Sequence, residues 1–177
     1  MTEPRGLPSV GAVVDAFVRS LQEGSWPEPD GVMGVLLELH RNNLAQWHCE
    51  DVTRAAYDDD AVVAAAKRDI DRLNANRHRL VEEIDAVYAH AIAPSSAAPL
   101  VTEAPAMVFD RLSVAAIRLH ETRSVASEHA GLAARVPLLE AQLADLASAL
   151  RALLADAVAG RRSFAPYRSL KLYGEPD

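Results

Sequence analysis

The sequence predicts an all-α protein, a single-domain bundle of about five helices with a long loop between the third and the fourth. Apolar residues make up 50% of the chain but aromatic residues only 5%, and alanine and leucine dominate. This composition favours helices over strands. In five segments the apolar side chains recur at steps of three and four residues, the spacing of one helix face. A chain of 177 residues is long enough to bury one core.

The first two predicted helices have clear start and stop signals. Ser9 is a suitable N-cap for the first helix, and Gly24 ends it. Residues 1–8 contain two prolines and little apolar content, and we expect them to form an irregular arm. After a connector rich in turn-forming residues, Asp30 is the expected N-cap of the second helix, which extends to about Ala56.

The third predicted helix extends from about Ala61 to Ala91, after three consecutive aspartates that end at Asp60. Carboxylates at this position cap free backbone N–H groups and complement the helix dipole, so we interpret the aspartates as an N-terminal cap. The apolar stripe of this helix consists of Val63, Ala66, Ile70, Leu73, Leu80, Ile84 and Val87. Its spacing predicts one face buried against the other helices.

The second half of the chain begins with a long loop. Residues 92–106 are rich in Pro, Ala and Ser, and long loops in compact domains often act as lids or binding loops. A fourth helix is expected over residues 106–129 and a fifth over residues 132–159. Gly131 is expected to end the fourth helix and Gly160 the fifth. Residues 161–177 are expected to form a second irregular arm.

Charge and cysteine content exclude several classes of protein. The net charge is −7 and the pI is about 5.3, which argues against nucleic acid or an anionic membrane as the main partner. A single cysteine, Cys49, provides neither a disulfide framework nor a cysteine-based zinc site. The N-terminus lacks the pattern of a signal peptide, and no apolar run reaches the roughly 18–20 residues of a membrane span. We therefore expect a soluble, cytoplasmic protein.

A row of polar and charged side chains lies beside the apolar stripes of the second, third and fourth helices. The row consists of His40, Asn43, Trp47, Glu50, Asp51 and Arg54, then Lys67, Asp71, Asn74, Arg77, His78 and Asp85, and then Asp110, Ser113 and His120. The i,i+4 spacing of Lys67 and Asp71 is also that of solvated surface pairs. A polar row between helices is costly to bury unless its members satisfy one another or bind a ligand. The sequence therefore predicts a buried structural network or a polar pocket.

If the row lines a pocket, the types of its side chains limit the chemistry that the pocket can perform. Carboxylates transfer protons, and guanidinium and ammonium groups, including that of Arg118, hold anions. The candidate catalytic residues are Asp71, Glu50, Asp51 and Asp110. The candidate substrate-binding residues are Trp47, His48, Arg54, Lys67, Asn74, Arg77 and Ser113. Neither HEXXH nor the Glu-x-x-His pairs of di-iron bundles occur, so we predict no metal site and no cofactor.

Two segments of the row resemble a bacterial family known as domain of unknown function 4254. QWHCEDVTR at 46–54 is similar to the family's Q-W-H-x-E-D-x-x-R, and KRDIDRLNANRHRLVEEID at 67–85 to its K-R-x-I-D-x-x-N-x-x-R-x-x-x-V-E-x-I-D. The segment 101–113 resembles the family's N-T-E-x-P and I-D-R-L-S-I motifs, and the tail RSLKLYGEPD its closing K-M-Y-N-D-P. The chain departs from these patterns at Val101, where Asn is usual, and at Gly174 and Glu175, where Asn and Asp are usual.

The resemblance implies little about activity. Members of the family often look like companions of genes for sugar transfer or cell-surface glycans, which is an association only. The family motifs coincide with the polar row and add the segment 101–113, so the resemblance implies that the long loop closes over the same site.

We favour one function and keep two alternatives. The favoured function is a small helical biosynthetic enzyme or enzyme subunit that binds a small polar substrate with a phosphate, sulfate or carboxylate and assists substitution, elimination or transfer by acid/base chemistry. The first alternative is a non-catalytic assembly partner of a glycosyltransferase or a paralogous chain, forming a homodimer or hetero-oligomer through the Leu139–Leu153 stripe of the fifth helix. The second is a metal-dependent hydrolase that uses the carboxylates of Glu50, Asp51, Asp71 and Asp85.

Overall fold

The computed structural model describes residues 6–27, 30–127 and 129–168, and within these residues all regular elements are helices. The helices are α1 (Val10–Glu23), α2 (Gly31–Ala55), α3 (Asp60–Ile92), α4 (Pro105–Ala126), the single turn α5 (Ala130–Ala133) and α6 (Val136–Val158). One isolated bridge joins Leu100 and Ser163. The prediction of a single all-α domain with five long helices is confirmed.

Local signals set the ends of the helices as predicted for α1 and α3. The Ser9 hydroxyl accepts a hydrogen bond from the Ala12 N–H at 3.1 Å, and Gly24 ends α1 in the left-handed region at φ 61°. The Asp59 carboxylate accepts from the N–H groups of Ala61 and Val62, both at 3.1 Å. Within the aspartate run, Asp59 is therefore the N-cap of α3, and Asp60 adds a negative charge in the first turn.

The predicted fifth helix is divided. It begins with the single turn α5, and α6 starts only at Val136. Pro137 occupies the first turn of α6, where its missing N–H costs nothing, whereas farther inside a continuous helix it would remove a hydrogen bond. The fourth helix likewise ends at Ala126 rather than at residue 129.

The helix α4 is central and contacts every other helix. The helices α2 and α3 pack along each other and are joined only by residues 56–59. Asn42 ties them together, since its amide donates to the Leu73 carbonyl and accepts from the Asn76 amide, each at 3.1 Å. The central position of α4 explains why two of its polar side chains, Asp110 and Ser113, are fully buried.

The apolar core is formed by α1, α2, α3, α4 and α6 together. Its largest fully buried side chains are Tyr88, Phe17, Phe109, Leu36, Leu39, Leu80, Ile84, Leu112, Ile117 and Leu150. The leucine stripe of α6 belongs to this core: Leu143 and Leu150 are buried, and Leu139, Leu146 and Leu153 pack against them. The prediction that this stripe is a docking surface is therefore wrong, because α4 and α1 already cover it.

The long loop and the start of the C-terminal arm hold each other in place. The Val101 N–H donates to the Ser163 carbonyl at 2.8 Å, and the Ser163 N–H donates to the Pro99 carbonyl at 2.9 Å. Phe164 is buried beside them. The residues of the arms at 1–5 and 169–177, including most of the family-like tail, lie outside the described residues.

None of the helices in the described part of the chain combines the length and the apolar character needed to cross a lipid bilayer.

Candidate functional site

An ion pair between the partly buried Arg77 of α3 and the buried Asp110 of α4 forms the centre of the site. The Arg77 guanidinium donates from Nε to Asp110 Oδ1 at 2.8 Å and from Nη2 to Asp110 Oδ2, which is the bidentate geometry of a strong pair. The Asp110 side chain is 1% exposed and that of Arg77 is 32% exposed. From α2, the Asn43 amide donates to Asp110 Oδ1 at 2.9 Å and to the Ser113 hydroxyl at 3.1 Å. Three helices thus meet at one carboxylate.

A chain of hydrogen bonds continues from this pair to α1. His40 Nε2 lies 3.2 Å from the Phe17 carbonyl, and His40 Nδ1 lies 2.8 Å from the Ser113 hydroxyl. A carbonyl can only accept, so Nε2 carries the proton and donates, and Nδ1 must accept from Ser113. The Ser113 hydroxyl therefore donates to His40 and accepts from Asn43. Each group in the chain has a partner of the required kind, so the network is satisfied although it is buried.

The surroundings of His40 keep its ring neutral. The His40 imidazole stacks on the Phe17 ring, with ring centroids 4.3 Å apart. The Trp26 ring contacts the imidazole in a tilted arrangement, with ring centroids 5.5 Å apart. Burial lowers the pKa of His40 from 6.5 to about 4, and the hydrogen bond to the Phe17 carbonyl offsets part of that effect. A neutral ring with one donor and one acceptor is the form that the hydrogen-bond chain requires.

Arg77 is held in its charged form. The hydrogen bonds that Arg77 donates to Asp110 raise the pKa of Arg77 above its ordinary value, against the opposing effect of burial. Asp110 also acts through its charge, and Tyr167 and Glu50 raise this pKa in the same direction. The Glu50 carboxylate on α2 and the Tyr167 hydroxyl group of the C-terminal arm are therefore electrostatic neighbours of the ion pair.

An open groove of about 720 Å³ borders the ion pair and lies between α4 and α6. Volumes of this size accommodate small ligands. The α3–α4 side contributes three arginines and one aspartate, and the α6 side contributes an amide and a second aspartate. These polar lining residues are Arg77, Asp110, Arg111, Arg118, Gln142 and Asp145.

The charges along the groove are only partly neutralised within the protein. Arg111 pairs with Glu103 of the long loop at 2.6 Å, as Arg77 pairs with Asp110. Arg118 and Asp145, by contrast, make no ion pair with any residue that the structure describes, and they are not within ion-pair distance of each other. The groove thus presents one unneutralised cation on α4 and one unneutralised anion on α6.

Several of the predicted site residues pair with close neighbours on their own helix and make no hydrogen bond to the Arg77–Asp110 pair. Lys67 binds Asp71 at 2.9 Å, with side chains 63% and 62% exposed. Arg54 binds Glu50 at 3.2 Å and Asp51 at 2.5 Å, within one turn of α2. The expected polar row is therefore divided, because the first half of α3 is largely exposed in the described structure.

The remaining predicted substrate-binding residues are Trp47, Asn74 and His48. Trp47 and Asn74 are half-buried, and the Asn74 side-chain amide makes no hydrogen bond within the described part of the chain. His48 is exposed, and its Nε2 lies 3.8 Å from the Glu121 carboxylate on α4. Of the predicted residues, the structure brings Asp110, Arg77 and Ser113 together by direct hydrogen bonds or through Asn43.

Asp85 has a different environment from the other carboxylates of the metal-hydrolase alternative. It is buried and accepts from the N–H of Ala106, in the first turn of α4, at 2.8 Å and from the N–H of Tyr167 at 2.9 Å. Burial raises the pKa of Asp85, while these two hydrogen bonds act in the opposite direction. Of the other three carboxylates, Asp51 and Asp71 are exposed and Glu50 is half-buried. Among the described residues, no three side chains of His, Cys, Asp or Glu are grouped closely enough to hold a metal ion.

Some residues of the site are not among the catalytic and substrate-binding residues predicted from the sequence. His40 and Asn43 were recognised as part of the row, because they lie one turn apart on one side of α2, but not as site residues. Arg118 was recognised only as a further cation. Gln142 and Asp145 carry no signal in the sequence beyond their spacing of three residues on α6.

Comparison with known proteins identifies the family. No curated protein and no solved structure matches this chain. Residues 34–165 match the family described as "Protein of unknown function (DUF4254)", and this range contains Arg77, Asp110 and the other polar residues of the groove. The match covers well over half of the chain. The protein therefore belongs to the DUF4254 family, as the motifs at 46–54 and 67–85 had indicated.

Proposed function

We propose that this protein binds a small polar molecule with an anionic group in the groove between α4 and α6, and that it acts on this molecule as a biosynthetic enzyme or enzyme subunit. The anionic group is a phosphate, sulfate or carboxylate. The observation that carries the proposal is the alignment of three guanidinium groups along one groove, of which Arg118 has no carboxylate partner in the described residues.

The spacing of the arginines supports the binding of an anion. Arg111 and Arg118 are seven residues apart on α4, so they lie two turns apart on the same side of the helix. Guanidinium groups bind phosphate and carboxylate through two parallel hydrogen bonds, and they remain charged at any physiological pH. Arg118 needs no internal pair to be broken before it binds a ligand, whereas Arg111 must give up Glu103.

The ion pair at the edge of the groove supplies the chemistry in this proposal. Asp110 uses both carboxylate oxygens for Arg77 and Asn43, so it is not free to accept a proton while this pair is intact. A bound anion competes with Asp110 for the partly exposed Arg77. When Arg77 turns towards the ligand, one oxygen of Asp110 becomes free to accept a proton from the ligand. Such acid/base assistance is suited to substitution, elimination or group transfer.

The binding step is tested with inorganic phosphate and sulfate by calorimetry at low ionic strength. We expect Arg118→Gln to weaken binding about tenfold, the effect of losing one charge-assisted contact. Arg151→Gln is the matched control, because Arg151 is an exposed arginine on α6 that does not line the groove. Binding that is absent, or equally strong in both variants, would refute the proposal.

The catalytic step needs a separate measurement. Phosphate esters that bind are followed by ³¹P NMR for turnover, and Asp110→Asn is expected to lower the rate at least about a hundredfold. The Arg151→Gln protein again serves as control. If folded Asp110→Asn protein turns over the same compound at an unchanged rate, Asp110 is not the proton acceptor.

A further inference from the structure

Two unneutralised charges of opposite sign stand on opposite walls of the groove. Arg118 lies on α4 and Asp145 on α6, and both line the same space of about 720 Å³. The other charges of the groove cancel in pairs, Arg77 with Asp110 and Arg111 with Glu103. The side chain of Arg118 and that of Asp145 are both exposed, and neither has an ionic partner among the residues described.

The separation of these two charges is informative. Arg118 and Asp145 lie on helices that pack against each other, yet their charged groups are farther apart than the 4.0 Å limit of an ion pair. The space between them is the groove itself. A ligand that fills this space and carries opposite charges at its two ends therefore satisfies both walls, whereas a simple anion satisfies only one.

The α6 wall also offers a second polar group. Gln142 lies three residues before Asp145, so the amide and the carboxylate are on the same side of α6. A carboxylate accepts hydrogen bonds and does not donate them, and it prefers a charged donor such as an ammonium. Apolar side chains also line the groove, Val114 and Ala115 from α4 and Leu146 from α6, which suits a short carbon skeleton.

We infer that the ligand of this groove is a small zwitterion, with its anionic group at Arg118 and an ammonium group at Asp145. This inference rests on the proposed function, because it assumes that the groove binds an anion at Arg118. It adds the second charged group and the residue that recognises it.

The inference is tested with pairs of compounds that differ only in ammonium against hydroxyl. The pairs are phosphoethanolamine with 2-hydroxyethyl phosphate, and glucosamine 6-phosphate with glucose 6-phosphate, which cover two distances between the charged groups. Calorimetry measures all four compounds and inorganic phosphate. We expect the ammonium compound of at least one pair to bind about three- to fivefold more tightly, the size of an exposed ion pair.

Two variants assign the preference to residues. Asp145→Asn is expected to make the affinities within each pair equal while phosphate itself binds at least as tightly as before, since a negative charge has been removed. Arg118→Gln is expected to weaken all five compounds. Asp58→Asn, at an exposed aspartate between α2 and α3, is the matched control and should leave the preference unchanged. Circular dichroism confirms that each variant is folded.

The outcomes separate the two proposals. If phosphate binds in a manner that depends on Arg118 but no pair shows a preference, the zwitterion inference is wrong and the proposed function stands. If the preference persists in Asp145→Asn, the assignment to Asp145 is wrong. If none of the five compounds binds, the proposed function fails and the inference fails with it.

Discussion

The neutral state of His40 makes a quantitative prediction about stability and pH. The ring donates to the Phe17 carbonyl and accepts from Ser113, and protonation of Nδ1 would remove the acceptor that Ser113 needs. The pKa of His40 is about 4 in the folded protein and 6.5 as its ordinary value. Because the folded pKa is the lower one, the unfolded chain binds more protons between these values. His40 therefore stabilises the protein fully above pH 6.5, and this contribution is lost as the pH falls towards 4.

The magnitude follows from the difference between the two pKa values. Each unit corresponds to about 1.4 kcal/mol of differential protonation energy. Integration over pH gives a loss of about 2 kcal/mol at pH 5 and about 3 kcal/mol at pH 4, relative to pH 7.5. This is a large share of the stability of a domain of this size, which is typically about 5–15 kcal/mol.

The assay compares the protein with His40→Gln, which cannot titrate in this range. Urea unfolding at pH 7.5, 6 and 5 gives the free energy of unfolding of both proteins. We expect His40→Gln to be the less stable protein at pH 7.5, with a gap that narrows by about 2 kcal/mol at pH 5. Other titrating groups cancel in this difference. Among them is Asp85, whose raised pKa works in the opposite sense and stabilises the fold as the pH falls.

One result would refute the reasoning directly. If the gap between the two proteins stays constant within about 0.5 kcal/mol from pH 7.5 to 5, His40 is not a buried neutral group. NMR titration of the His40 ring provides a second check. A ring that titrates near 6.5 would contradict both the burial of His40 and the direction of the hydrogen-bond chain.

Three further substitutions test other parts of the structure by urea unfolding. Asp110→Asn leaves the Arg77 charge without its partner in a site that is only partly open, and we expect a loss of about 2–3 kcal/mol, less than for a fully buried pair; a loss below about 1 kcal/mol would contradict this. Asp71→Asn removes an exposed pair with Lys67, so the free energy of unfolding should change by less than about 0.5 kcal/mol and the affinity for phosphate should stay the same. Weaker phosphate binding by this variant would show that Asp71 contributes to the binding site. Leu150→Ala should cost about 2–5 kcal/mol, because this leucine is buried in the core, whereas a docking face would lose almost nothing.

Much of the fold could be predicted from residues that are close together in sequence. Ser9 caps α1 through the N–H group three residues on, and Asp59 caps α3 in the same way. Gly24 adopts the left-handed conformation that ends α1. Pro137 shows the limit of such reasoning, since the sequence predicts one continuous helix over residues 132–159, whereas the chain forms a separate turn before α6 begins and Pro137 lies in the first turn of α6.

The site could be predicted only in part. Arg77, Asp110 and Ser113 were expected to face a neighbouring helix, and they do. Lys67 and Asp71 have the same periodicity but face solvent, because periodicity states which residues share a side of a helix and not what covers that side.

The sequence by itself determined the class of fold, the ends of α1 and α3, the membership of the family and the residue types available for chemistry. These features depend on contacts within one or two turns, or on motifs that can be compared directly. Only the tertiary structure decided which polar groups meet. His40 reaches Ser113 across 73 positions of the chain, and Arg77 reaches Asp110 across 33. It also decided that the leucine stripe of α6 packs into the core and that Arg118 and Asp145 line the same groove. Such pairings depend on the rotation and crossing of whole helices, which is set by the packing of the entire core rather than by any local pattern.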